Sequence, residues 1–146
     1  MNISSNNDSN VKTMQILIID GHGGGLGAQI VSAVVKNFPD HKVRAVGTNG
    51  TATVAMIKAG AKEAATGENA VIVGARDADI IIGPVGIVIA DSMLGEITPK
   101  MAVAIGQSRG KRLLVPVNQC DTTIAGVASM PVSKLLQAVV ASISET

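Results

Sequence analysis

Aromatic side chains are almost missing from this 146-residue chain, which has one Phe, at position 38, and neither Trp nor Tyr. Their scarcity removes the stacking platforms on which single-strand nucleic-acid binders seat bases. It also means that Val, Ile, Leu, Ala and Met must build the core, a composition suited to helices packed on buried parallel strands. Cysteine is nearly missing too. Cys120 stands alone, which excludes an internal disulfide, and with only two histidines the chain lacks the ligand set of a Cys/His zinc cluster. A reducing cytoplasm is the expected location. No sign of charge dominates: 12 basic and 11 acidic residues give a formal net charge of +1, scattered singly, which leaves no electrostatic footprint for nucleic acid or a membrane surface. Long apolar runs are also lacking. The most apolar stretch, Ile80 to Leu94, is cut by Gly83-Pro84, carries Asp91 and falls short of the roughly 20 residues a membrane span needs.

What is present reads as one domain. Met1 to Thr13, rich in Asn and Ser, reads as a disordered leader, and residues 14–146 as a single α/β domain. Gln15 to Ile19 is a short aliphatic run of the kind a doubly covered strand requires. After a glycine-rich turn, Leu26, Ile30, Ala33, Val34 and Phe38 recur at helical spacing until Pro39. Lys42 to Val46 is a second strand, Thr51 to Ala59 a short helix, and Ala61 to Ala65 a brief strand. Thr66 is placed as the N-cap of a helix over residues 67–76. Asp79 to Ile82 is a further buried strand, and residues 83–94 read as a short helix. Thr98-Pro99 predicts a helix start, Leu113 to Val117 a strand, and Pro131 the opening of a terminal helix. This alternation implies a three-layer parallel sheet with helices on both faces, Rossmann-like or, alternatively, flavodoxin-like.

In such folds ligands sit outside the carboxyl ends of the strands. That rule gathers the loops at Asp20 to Gly27, Gly47 to Thr51, Gly83-Pro84 and Asn118 to Thr122 on one edge. The first is the most informative. Gly21, His22, Gly23, Gly24, Gly25, Leu26 and Gly27 lie between a strand and a helix, where glycines permit close approach and the helix aims free N–H groups and its positive end at an anion. Gly21, Gly25 and Gly27 form G-x-x-x-G-x-G, similar to the nicotinamide-cofactor turn of short-chain dehydrogenases. The catalytic tyrosine of those enzymes has no counterpart here, so their reaction is excluded. A carboxylate at Asp20 would repel a pyrophosphate unless it takes a metal, a hydroxyl or a backbone cap.

The second strand ends in Gly47-Thr48-Asn49 rather than in the acid that holds the ribose hydroxyls of NAD. Thr48, Asn49 and Thr51 are instead candidates for a phosphate, either the 2′-phosphate of NADP or that of another ligand, with Arg44 near; the alternative is a turn with Thr51 capping the next helix. Gly83, Pro84 and Asn118 complete the candidate binding edge. Asp91, Glu96 and Lys100 form an acid-base set near it, and Asp20, His22, Asp91 and Glu96 are the candidate acid-base groups for any chemistry. Cys120 lacks a basic neighbour and reads as an unreactive thiol.

The blocks Ile19 to Gly27, Gly47-Thr48-Asn49, Ala65 to Ala70, Ile82-Gly83-Pro84 and Ser92 to Pro99 together resemble a family of small bacterial proteins catalogued as a domain of unknown function. The resemblance covers nearly all of the chain after Thr13 and implies a fold but no activity. A weaker, fold-level resemblance links Gly47 to Gly50 and Thr66-Gly67 to methylglyoxal synthase-like phosphate-binding domains. The histidine of that enzyme would fall near Glu96-Ile97, where there is none, so no catalytic role carries over. The expected function is binding of a nucleotide, dinucleotide or other phosphorylated small molecule. The alternatives are a small enzyme acting on a phosphorylated substrate or using NADP, and a homo-oligomeric assembly subunit.

Overall fold

The computed structural model describes residues 12–117 and 121–146, so that nearly all of the expected leader, together with Asn118 and Cys120, lies outside the described residues. Strands and helices alternate as β1 (Gln15–Asp20), α1 (Gly25–Asn37), β2 (Lys42–Gly47), α2 (Gly50–Lys58), β3 (Glu63–Thr66), α3 (Glu68–Asp77), β4 (Ile80–Pro84), α4 (Pro99–Gly106), β5 (Lys111–Val115) and α5 (Val132–Ser144). The strands form one parallel sheet in the order β3-β2-β1-β4-β5. That order decides between the two expected topologies. A flavodoxin-like sheet would place β3 beside β1, whereas here β1 lies between β2 and β4, the Rossmann arrangement.

The central strands are aliphatic throughout because both of their faces are covered. Ile16, Ile18, Ile80 and Ile82 pack with Ile30, Val31 and Val34 of α1, Met56 of α2, and Leu135, Val139 and Ile143 of α5. Leu17, Ile19 and Ile81 pack on the opposite side with Val71 and Ala75 of α3 and Met101 and Ile105 of α4. Neighbouring residues of one strand therefore serve different helix layers.

Several boundaries differ from expectation. Thr98 caps α4 as expected, its hydroxyl accepting from the Met101 N–H, with Pro99 at the first helical position. At α2, however, Asn49 is the cap and accepts from the Ala52 N–H, while Thr51 is exposed in the first turn. Thr66 does not cap α3; it ends β3, its hydroxyl lies 2.6 Å from that of Thr53, and Gly67 takes the cap position with φ 102°. β5 starts at Lys111 because its N–H donates to the Asp79 carbonyl and the Lys-Arg pair lies in register with Ile80 and Ile81. The short helix expected over residues 83–94 shrinks to one 3-10 turn, Val85–Val88, because Gly83-Pro84 remain in β4 and the chain then turns through left-handed residues at Asp91, Met93 and Leu94. No helix among the described residues is long and apolar enough to cross a membrane.

Candidate functional site

β1 delivers Asp20 to the carboxyl edge of the sheet, where it is only 6% exposed. The carboxylate turns back on the backbone: Oδ1 accepts from the Gly21 N–H at 2.8 Å and Oδ2 from the Gly27 N–H at 2.6 Å. It thus caps the first turn of α1, a helix whose N-cap residue, Gly24, has no side chain to do so. Burial raises the Asp20 pKa, and this outweighs the lowering by the Gly27 and Gly21 N–H bonds and by His22; nearby Glu96 adds to the rise. The concern that this carboxylate would repel a phosphate therefore eases, since its oxygens serve the main chain.

The loop beyond it is held by Gly24, which has φ 75° and lies against α2 so closely that a Cβ would fall 2.7 Å from Ala52 Cα. Its N–H closes a turn onto the Gly21 carbonyl. Among the described residues, no acceptor meets the N–H groups of Gly23, Gly25 and Leu26. All three residues line a cavity of about 720 Å³. The glycine loop forms one wall, Pro84 and residues 89–94 the second, and Val117, Asp121 and Thr122 the third. This cavity lies between the carboxyl ends of β1 and β4, where the strand order reverses and where open parallel sheets bind their ligands.

On the β2 side the edge is filled. Glu96 Oε1 accepts from Thr48 Oγ1 at 2.5 Å, Asn49 Nδ2 at 2.7 Å and the His22 N–H at 3.0 Å, and Oε2 lies 3.7 Å from His22 Nε2. Partial burial pushes the Glu96 carboxyl up, but the Thr48, His22 and Asn49 hydrogen bonds and the His22 charge prevail and hold it below its ordinary value.

With that geometry in view, the family model for the domain of unknown function DUF3842 matches residues 15–146. The chain belongs to the DUF3842 family. No curated protein and no solved structure matches it significantly. The family match spans every strand and helix described above, and each block of the sequence resemblance contributes to the sheet edge of this DUF3842 chain or to the turns beside it.

The DUF3842 edge brings together some of the sequence candidates and separates others. Gly21, His22, Gly23, Gly24, Gly25, Leu26, Pro84 and Asp91 line the cavity, as does Asp20. Gly27 and Gly83 are buried behind it, Gly83 against the Ile19 carbonyl. Thr48 and Asn49 face Glu96, and neither they nor Thr51 reach the cavity wall. Arg44 is not near: it pairs with Glu63 at 3.2 Å and lines a separate concavity with Gln15 and Lys42. The Asp91, Glu96 and Lys100 set does not assemble, because Glu96 turns to β2 and Lys100 is exposed on α4 without an ion pair to either acid. Asn118 lies outside the described residues. Among those described, no group of His, Cys, Asp and Glu is arranged to hold a metal ion.

Sequence reasoning missed the wall made by Ile89, Met93, Leu94 and Val117. An apolar run gives no local sign of whether it faces the core or a cleft. Asp121 and Thr122, which also line the cavity, belong to the polar loop after β5, and the polarity of that loop is their signal in the sequence.

Proposed function

We propose that this domain binds a nucleotide or another phosphorylated small molecule in the crevice between β1 and β4, with a phosphate seated on the glycine loop. The observation that carries this reading is that Gly23, Gly25 and Leu26, whose N–H groups lack a protein acceptor among the described residues, line a ligand-sized cavity at the head of α1. A helix of 13 residues directs its positive end to that spot. Ile89, Leu94 and Val117 supply apolar wall for the remainder of the ligand, and Asp91, Asp121 and Thr122 supply acceptors and a hydroxyl for its polar groups.

Calorimetric titration with inorganic phosphate, AMP, GMP and ribose 5-phosphate tests the reading; dye-monitored melting serves alongside, since the chain has no Trp or Tyr. A ligand at 100 times its dissociation constant should stabilise the fold by about 2.7 kcal/mol. Gly25→Asp is the discriminating variant. A Cβ at Gly25 meets nothing within 4 Å, so the variant should fold, and an acid in the first turn favours the helix. Its carboxylate would nevertheless oppose any phosphate. Binding should fall at least tenfold with the melting temperature unchanged or raised; equal affinity in Gly25→Asp, or no stabilisation by any of the four compounds, refutes the site.

A further inference from the structure

The turn after β2 belongs to the ligand edge, yet the cavity does not reach it. Its donors are nonetheless those of an anion site: a hydroxyl from Thr48, an amide from Asn49 and the main-chain N–H of His22 converge on one oxygen. That oxygen is Glu96 Oε1, from the connection between β4 and α4. The connection is shaped to deliver it. Asp91, Met93 and Leu94 adopt φ of 66°, 57° and 55°, a region that non-glycine residues avoid and that persists where the surroundings impose it. The Asp91 N–H donates to the Ile97 carbonyl at 2.7 Å, Ser92 Oγ donates to the Gly86 carbonyl, and Met93 and Ile97 are buried. Leu94, at the tip, is 98% exposed on the cavity rim, so burial of its side chain does not account for the turn.

Below this turn Gly21 provides the room. A Cβ there would lie 2.5 Å from Thr48 Oγ1 and 2.9 Å from both Glu96 Oε1 and Met93 Sδ. The carboxylate therefore stands over the junction of the β1 and β2 ends. A Rossmann dinucleotide site uses that junction for the adenosine ribose, held by an acid at the end of the second strand. Here the acid comes from another loop and fills the place itself.

We propose that Glu96 closes a second anion subsite, formed by the His22 N–H, Thr48 and Asn49, and so restricts the crevice to ligands with one phosphorylated end. This deepens the proposed function and rests on it for the first phosphate. Convergent donors on one oxygen select a charged acceptor, and a phosphate oxygen satisfies them in the same way. Both anions cannot share the donors, because like charges at contact distance repel.

The test is titration of inorganic phosphate, by calorimetry, into wild type, Glu96→Ala and the double variant Glu96→Ala/Thr48→Val, each checked for folding by circular dichroism. One equivalent is expected in wild type, two in Glu96→Ala, and one again in the double variant. A single equivalent in folded Glu96→Ala, or two in the double variant, overturns the inference and leaves the glycine-loop reading standing. No phosphate in wild type but one in Glu96→Ala, lost in the double variant, supports the subsite that Glu96 closes and overturns the limit to one phosphorylated end, while the glycine-loop site is judged by its own four compounds. Absence of binding in all three overturns the inference. The size limit has its own arm: NADP should bind wild type no more tightly than AMP, and a tenfold preference for NADP removes it.

Discussion

Two carboxylates on one sheet edge titrate in opposite directions because they are satisfied differently. Asp20 is buried, and desolvation outweighs its two backbone N–H bonds, so the fold favours its protonated form. Its contribution to stability is fully present below the ordinary value of 3.8 and is lost as pH rises through the raised folded value. Glu96 remains partly solvated, its side chain 27% exposed, and its donors favour the ionised form. Its contribution is present above the ordinary value of 4.5 and is lost as pH falls through the lowered folded value. Urea midpoints from pH 3 to 7 should separate them. The deficit of Asp20→Asn relative to wild type should be largest in acid and shrink as pH rises, whereas that of Glu96→Gln should be absent in acid and grow. Parallel pH profiles for the two variants would contradict these environments. Neither environment was legible at residue scale: the sequence showed an acid at a strand end and an acid in a loop, and burial and partners come only from packing.

At the scale of elements, the head of α2 joins local and long-range order. Asn49 caps the helix through Oδ1 and donates through Nδ2 to Glu96 and to the His22 carbonyl. Asn49→Ala should cost about 1 kcal/mol from the lost cap alone. Asn49→Asp keeps an equivalent cap but faces Glu96 with a second carboxylate, so it should be destabilised at neutral pH and recover in acid, as read by thermal melts at both pH values. Equal melting temperatures for Asn49→Asp and wild type at pH 7 would show that the Glu96 contact is not formed in solution. Elements with local punctuation were legible: Thr98-Pro99 opens α4, and Pro39 stands two residues after the end of α1. The segment 85–97 was not, because its apolar residues are shared between the α3–α4 core and the cavity wall, and no local rule separates those uses.

For the molecule as a whole, the two-sided burial of the sheet has a direct test. Ile18 and Ile19 are adjacent, both fully buried, and belong to different helix layers. Ile18→Ala and Ile19→Ala should each cost about 2–5 kcal/mol in chemical denaturation. A sheet covered on one face would lose stability at only one of the two positions, so a near-neutral Ile19→Ala would refute the layer formed by α3 and α4.

Taken by itself, the sequence determined the alternation of aliphatic strands with amphipathic helices, the parallel α/β class, and a glycine loop between the first strand and its helix. Those features rest on local periodicity, proline and glycine, whose effects act within a few residues. Only the tertiary structure decided that β4, rather than β3, lies beside β1, which sets the crevice where it is. It alone turned Asp20 onto the Gly21 and Gly27 N–H groups and seated Glu96 on Thr48 and Asn49, partners 48 and 47 residues away. The reason is physical: strand order and the meeting of distant polar groups are fixed by how two layers of helices bury both faces of one sheet, a condition that no short stretch of chain contains.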